Sequence, residues 1–307
     1  MMISTTRRRA VAVTGAGLLA VAVAACESTG GNPQGGGGDG DGGGGGGALT
    51  LEQLQERGSI TVGFAGEAPY SFEEGGELTG ATVALHEEIW GELGIDEVEG
   101  QQAEFGQLIP GLNAGRFDVI AAGMSILPER CEQAIFSEPE FMYTTALMVE
   151  DGNPLDLQTL DDVEGTDARL ATMTGAIESD YAESLGLDSM QVANPQDGMD
   201  AIVNGRADVF ALTGISLNWM ADNNPDAPVE VTESFVQEID GTPQVGAGGT
   251  VFRESDTELR DAYNEELESI TGDEDTYLGV VGDFGFTAEE RPTGDLTTEQ
   301  LCAGDLE

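Results

Sequence analysis

Gly115-Arg116-Phe117-Asp118-Val119-Ile120-Ala121 returns ninety residues later as Gly205-Arg206-Ala207-Asp208-Val209-Phe210-Ala211. Each copy reads as a glycine closing a helix, a turn, and entry into an apolar strand. The first strand runs on into a loop, Gly123-Met124-Ser125, and the second into Thr213-Gly214. Open α/β sheets bind ligands at the C-terminal ends of their strands. Two similar halves, each presenting such an edge, would face one another across a cleft. The match also describes a common helix-to-strand turn. Under either reading Arg116 and Arg206 are solvated or capping residues.

The flanking sequence carries the same alternation. Residues 60–64 form a short β-run, and Leu85, Ile89 and Leu93 recur every four residues, as on an amphipathic helix. Leu108, Ile109 and Leu112 mark a second helix, in which Pro110 is tolerable only within the first turn. Strand and helix in turn argue for an α/β fold with mostly parallel strands. Residues 49–291 are ordinary globular material, enough for two lobes. Residues 292–307 form an acidic tail with a short helix around 297–301.

At the other end, Arg7, Arg8 and Arg9 precede an apolar run over residues 10–25 that ends Val23-Ala24-Ala25-Cys26. A basic segment, a short apolar segment and small residues before a cleavage point make an export signal over residues 1–25. The run is short of the roughly twenty residues needed to cross a bilayer. The small residues before Cys26 resemble a bacterial lipobox, in which that cysteine is diacylated and becomes the mature N-terminus. The paired arginines also permit a twin-arginine route, and a plain secretory signal with a chance cysteine is the alternative. Residues 26–48 are nearly all glycine, serine, proline and aspartate, a flexible tether with a reach of roughly 25 Å. The expectation is an extracytoplasmic body, anchored as a lipoprotein to the outer face of the cell membrane.

The chain carries 58 carboxylates against 11 basic residues, for a formal charge of −47, and every basic residue is arginine. Nucleic acid binding needs a basic face and is excluded. Most of the carboxylates must be solvated surface, and the lack of lysine resembles halophilic proteins, so a salt-rich habitat is expected. Only eight arginines follow Cys26, so any arginine beside a strand end is a candidate anion anchor. The single histidine, His86, lies on the helix of Leu85 and Ile89, where a surface role is the default. No metal-ligand cluster and no nucleophile with a histidine to activate it can be found, so neither catalytic residues nor a cofactor are expected.

Several runs resemble the polar-amino-acid class (family 3) of ABC-transporter solute-binding proteins: Val62-Gly63-Phe64-Ala65, Pro69-Tyr70-Ser71-Phe72, residues 108–118, residues 124–130 and Phe136-Ser137-Glu138-Pro139. Within that class, Gly66-Glu67-Ala68-Pro69-Tyr70, residues 104–112 and Pro128-Glu129-Arg130-Cys131-Glu132-Gln133 look most like ectoine/hydroxyectoine-binding proteins. The resemblance spans residues 58–286. It implies a type II periplasmic-binding-protein-like fold: two lobes, each a mostly parallel sheet flanked by helices, joined by two crossovers. These crossovers are expected near residues 149–153 and 242–248. Lobe one would then comprise residues 49–149 and 246–291, and lobe two residues 150–245. A solute bridges the lobes, and the closed form docks on a membrane permease; the protein itself would be a monomer.

The resemblance also implies roles. Arg130 clamps the ligand carboxylate with two parallel bonds, which an ammonium cannot make; a surface ion pair is the alternative. Gly123, Ser125 and nearby amides share that carboxylate. Gly175-Ala176-Ile177 opens a helix whose free N–H groups could meet the anion from lobe two. Amino-acid binders of the class place an aspartate near Thr213 for the ammonium, and here no charge stands there. Glu67 and Glu178 match the acidic contacts of ectoine binders, and Tyr70 and Phe105 match two rings of their cage, each worth on the order of 0.5–2 kcal/mol by cation–π attraction. The bland alternatives are core packing for the rings and solvated surface for the acids. A third cage ring falls at Ser125, so the cage is incomplete or another ring substitutes. With Cys26 lipidated, Cys131 and Cys302 are left as a pair for a disulfide, with free thiols the alternative.

The expected function is an ABC importer's solute-binding protein for ectoine or hydroxyectoine. An amino-acid binder is the alternative, with a cyclic-acid dehydratase or a sensor subunit on the same fold behind it.

Overall fold

The computed structural model describes residues 48–239 and 242–304. The expected leader, Cys26 and all but the last residue of the tether lie outside the described residues.

The two copies of the signature fold identically. Residues 111–120 and 201–210 show the same sequence of buried and exposed positions, with both arginines exposed. Gly115 (φ +68°) and Gly205 (φ +61°) are both left-handed, as a helix-closing glycine must be. Arg116 N–H bonds Gly111 O and Arg206 N–H bonds Ala201 O, so the two turns close alike. Next, each aspartate ties its strand to a neighbour. Asp118 Oδ2 accepts from Thr61 N–H at 2.9 Å and pairs with Arg57. Asp208 Oδ2 accepts from Arg169 N–H at 2.8 Å, and its carboxylate takes two further bonds from the Arg169 side chain.

The strands these motifs launch are central to two sheets. The chain first lays down β1 (Ser59–Phe64), β2 (Glu97–Gln102), β3 (Val119–Ser125), β4 (Ile135–Phe136) and β5 (Phe141–Tyr143). It then builds β6 (Thr145–Glu150), β7 (Leu170–Met173), β8 (Ser189–Val192), β9 (Val209–Thr213) and β10 (Val229–Val231), and returns as β11 (Gly246–Phe252). Sheet one runs β2-β1-β3-β11-β4, with β5 also on β11; sheet two runs β8-β7-β9-β6-β10. In each, the motif strand has a parallel neighbour on one side (β1 or β7) and an antiparallel one on the other (β11 or β6). The expected parallel order therefore holds for three strands of each sheet. The rest are antiparallel, because the strands beside each lobe crossing enter from the opposite direction.

Alternation along the motif strands feeds two cores. Val119 and Ala121 face one, and Ile120, Ala122 and Met124 the other; Val209 and Ala211 divide from Phe210 and Leu212 in the same way. Both strands are thus buried on both faces, as sheets sandwiched by helices require.

Three expectations need correction. Gly123-Met124-Ser125 is not a loop but the last part of β3, and Thr213 likewise ends β9, with the helix Gly214–Asn223 following directly. The first crossover falls at Thr144, not at residues 149–153, because β6 already pairs within sheet two. Residues 141–149 are one extended apolar run, and nothing in its pattern separates one long strand from two strands in different sheets. The return crossover lies between Val231 and Gly246, overlapping the expected 242–248. Finally, His86 is fully buried. Trp90 Nε1–H donates to its Nδ1 at 2.9 Å, which leaves the proton on Nε2 to meet Thr250 Oγ1 at 2.7 Å. Burial lowers its pKa to about 3, so it stays neutral.

The tail helix, Thr298–Ala303, packs on lobe one, where Cys302 is bonded to Cys131 with Cα atoms 5.6 Å apart. No helix among the described residues is long and apolar enough to cross a membrane.

A Cβ at Gly115 or Gly205 would meet nothing within 4 Å. Gly115→Ala and Gly205→Ala should therefore each cost only the left-handed backbone penalty, about 1 kcal/mol. Urea unfolding should give matching losses for the two variants.

Candidate functional site

The ends of β3 and β9 meet across the lobes, and between them lies a small cavity of about 20 Å³. Its lobe-one wall holds Glu67, Tyr70, Phe105, Gly123 and Ser125; its lobe-two wall holds Ala176, Ile177, Glu178 and Thr213. Nine of the eleven residues singled out from the sequence as binding residues thus line one cavity. The remaining two, Arg130 and Gly175, touch each other beside it: Arg130 Nη2 donates to Gly175 O at 2.8 Å, and Nη1 to Ser125 O at 2.9 Å.

Arg130 therefore spans the lobes. It stands on the one-turn helix Pro128–Cys131, is 8% exposed, and lies with Cζ 5.6 Å from the centre of the Phe105 ring. Burial pulls its pKa below the ordinary arginine value. Two of an arginine's five donors are engaged by these carbonyls. No carboxylate salt bridge to it is found among the described residues.

The acidic side of the cavity is built differently. Glu67 accepts from Ser216 Oγ–H at 2.7 Å and, weakly, from Thr213 Oγ1–H at 3.5 Å, both across the lobe boundary. Glu178, in the first turn of the helix Ile177–Ser184, is fully buried; Thr145 Oγ1 lies 3.4 Å from its Oε1, and its Oε2 has no partner. Burial is the main cause that lifts Glu67 to a pKa of about 7 and Glu178 to about 8. Their mutual repulsion raises Glu178 further, and Arg130 opposes it. Two buried carboxylates thus line the cavity, and a buried guanidinium stands beside it.

Tyr70 serves both core and cavity. Its ring packs edge-on against Phe141 and Phe286 at 5.8 and 5.7 Å. Its hydroxyl lies near Thr213, but no group meets it in hydrogen-bond geometry. Gly123 (φ +56°) is required there, since a Cβ would stand 2.4 Å from the Tyr70 ring. The lobe-two amides are only partly available, because Ala176 N–H is already bonded to Met173 O at 3.0 Å. The backbones approach closely here: a Cβ on Gly175 would lie 3.1 Å from Gly106 Cα.

Sequence reasoning missed Tyr143, Ser216 and Thr145. Tyr143 is the last residue before the lobe crossing, and it lines the cavity. Its hydroxyl donates to Ser125 Oγ, and its ring lies edge-on to Tyr70 at 6.3 Å. Gly246 and Gly248 of β11 make room for it; a Cβ on either would come within 3 Å of the ring. Its alternation with Phe141 along the strand was the available signal, obscured by placing the crossover too late. Ser216 and Thr145 are ordinary hydroxyl residues with no local pattern to single them out.

Residues 60–277 match the model of the bacterial extracellular solute-binding proteins, family 3. The chain belongs to that family. A probable amino-acid ABC transporter periplasmic-binding protein of Sinorhizobium fredii is 34% identical over 83% of this chain and 87% of its own length. Among solved structures, EhuB in complex with hydroxyectoine is similar at 31% identity and a TM-score of 0.74, covering 82% of this chain and 97% of that one. The ancestral amino-acid-binding protein AncCDT-1, a precursor of cyclohexadienyl dehydratase, follows at 25% identity and a TM-score of 0.67, over 77% and 99%. The fold is that of the type II periplasmic-binding proteins, and the chain passes between the sheets at Thr144 and again between Val231 and Gly246.

A buried carboxylate with a raised pKa has a definite effect on stability. The unfolded Glu178 ionises from about 4.5, whereas the folded one stays protonated until about 8. Its contribution to stability is therefore intact below pH 4.5 and is lost as pH climbs towards 8. Glu178→Gln should raise the Tm of the unliganded protein at pH 8.5, and the gain should shrink as pH falls and vanish below the ordinary carboxyl value of 4.5, as a pH series of thermal melts would read directly.

Proposed function

We propose that this family 3 protein is the lipid-anchored binding component of an ABC importer and that its lobes close over ectoine or hydroxyectoine. One observation carries the ligand reading: two buried carboxylates without a cationic partner of their own, in a chamber walled by rings, facing an interlobe arginine. A zwitterion with a delocalised cation matches that layout end to end. Its carboxylate would lie towards Arg130 and the Ser125 side, and its amidinium towards Glu67 and Glu178, among the faces of Tyr70, Phe105 and Tyr143. Thr213 carries no charge, but Glu67 reaches it from the opposite lobe, so the acid expected after β9 in amino-acid binders is supplied from lobe one.

The lipid anchor rests on the lipobox-like residues before Cys26, and the importer on the family and its Sinorhizobium relative. The second reading, a cationic amino acid, is favoured by the same pair of carboxylates, which would also suit a guanidinium. Transport is the assignment, on the strength of the family and its Sinorhizobium relative.

Calorimetry of the purified protein against ectoine, hydroxyectoine, arginine and glutamine in high salt tests this. Ectoine should bind well ahead of both amino acids; a preference for arginine would replace the ligand. Arg130→Ala should cost about 2–5 kcal/mol of affinity, the penalty for truncating one partner of a buried charge pair. Tyr143→Leu should lose about 0.5–2 kcal/mol, the worth of one ring on a desolvated cation.

Proton release supplies a further check. A cationic ligand stabilises Glu67 and Glu178 in their ionised forms, whose pKa values are about 7 and about 8 without it. Affinity should therefore rise with pH from 6 to 8.5, and binding should release protons. Titrations in two buffers of different ionisation heat would measure that release; pH-independent binding would remove the two acids from the site. Closure has its own reporter in Trp219 of lobe two, which lies between Phe72 and Phe284 of lobe one at 6.0 and 6.5 Å.

A further inference from the structure

Arg130 stands on a helix of one turn, Pro128–Cys131, too short to hold its own shape. The N–H groups of Arg130 and Cys131 both turn back to Leu127 O, so the turn is tied to little beyond itself. What packs on it is the C-terminal helix Thr298–Ala303. Cys302 is bonded to Cys131, Leu301 is 4% exposed, and a Cβ on Gly304 would lie 3.6 Å from Pro128 Cγ. The start of that helix is pinned to lobe one as well: Thr298 Oγ1–H donates to Ser137 O at 2.6 Å and its N–H to Glu138 Oε2 at 3.1 Å.

The tail also faces lobe two across a cavity. This second cavity, of about 170 Å³, is bounded by Leu301 and Gly304 of the tail, by Leu127 and Pro128 beside Arg130, and by Ile177 and Tyr181 of the lobe-two helix. The same tail helix thus braces the arginine's backbone and borders the seam along which the lobes meet.

We propose that the C-terminal helix, clamped by Cys131–Cys302, is a positioning element for Arg130, and that opening the clamp weakens solute binding. Cys302 and Leu301 act through Arg130 and not on the solute. The inference rests on the reading of Arg130 as the carboxylate anchor. A two-pronged grip tolerates a misplacement of only roughly 0.5 Å, and the Arg130 side chain reaches two lobes from a turn with no other covalent support.

The test is an affinity cycle on the whole protein at 25 °C, with ectoine as probe. The clamp is opened in two ways: by Cys131→Ser with Cys302→Ser, and by dithiothreitol on the native protein. The dithiol supplies two electrons and two protons, leaves two cysteine thiols and closes to its own cyclic disulfide. Either opening should weaken binding about tenfold or more, a coupling of the size seen between residues in contact. In an Arg130→Lys background, which keeps the charge but not the two-pronged grip, opening the clamp should cost little more.

Three results would overturn the proposal. The first is a lowered Tm with unchanged affinity, which makes the clamp a stability device. The second is an equal loss in the Arg130→Lys background, which makes it act elsewhere. The third is reduced native protein that binds as the oxidised form does. Failure of the ligand reading is distinguishable, because oxidised native protein would then bind arginine and not ectoine; the same cycle run with arginine still decides the role of the clamp.

Discussion

In the cleft two carboxylates line one small chamber, and a guanidinium stands beside it, all three withdrawn from water. Moving an isolated charge out of water costs far more than a fold can supply, so such a group changes protonation state or finds a partner. Glu67 and Glu178 take the first course, with pKa values of about 7 and about 8. Arg130 takes the second, with backbone carbonyls from both lobes. The partners of the acids are hydroxyls: Ser216 and Thr213 on Glu67, Thr145 on Glu178. A hydroxyl can donate to a carboxylate or accept from a carboxylic acid by rotating its proton. That choice lets the acids stand neutral and then ionise opposite a cation without rebuilding the walls.

The chamber exists because one local solution was used twice. In each lobe a left-handed glycine ends a helix, and the aspartate three residues on ties the new strand to its parallel neighbour. The strand then runs between two cores to an edge at the cleft. Ser125 and Thr213 are the last residues of those two strands, which is why residues so far apart in sequence share a wall. Arg130 is five residues beyond the first strand end, close enough for its side chain to reach back to Ser125 O.

Much of this was legible in the sequence, and the reasons differ by residue. The glycine-aspartate signature is local and its conformational demands are specific, so the two sheets and their binding edges could be read from it. Glu67, Tyr70, Phe105, Glu178 and Arg130 came from a family resemblance; as isolated letters they are ordinary. Tyr143 escaped because a single residue, Thr144, separates strands of different sheets inside one apolar run. His86 escaped because its helix buries more than one face, with Ala81, Val83, Leu85, Ile89 and Trp90 all inside. Only Glu87, Glu88, Gly91 and Glu92 are exposed on that helix, and the long-range contact with Thr250 together with Trp90 shows how the His86 nitrogens are satisfied.

The Cys131–Cys302 bond joins positions 171 residues apart, and both passages between the lobes lie inside that span. Topologically, all of lobe two and the returning part of lobe one belong to one closed covalent ring, which the rest of the chain joins at Cys131 and Cys302. A single cut in any lobe-two loop would thus leave the ring's two arms attached, and the severed protein would travel as one piece until the sulfurs were parted. For a domain of an extracellular family, where proteases act, the first nick would leave both fragments in one covalently joined molecule.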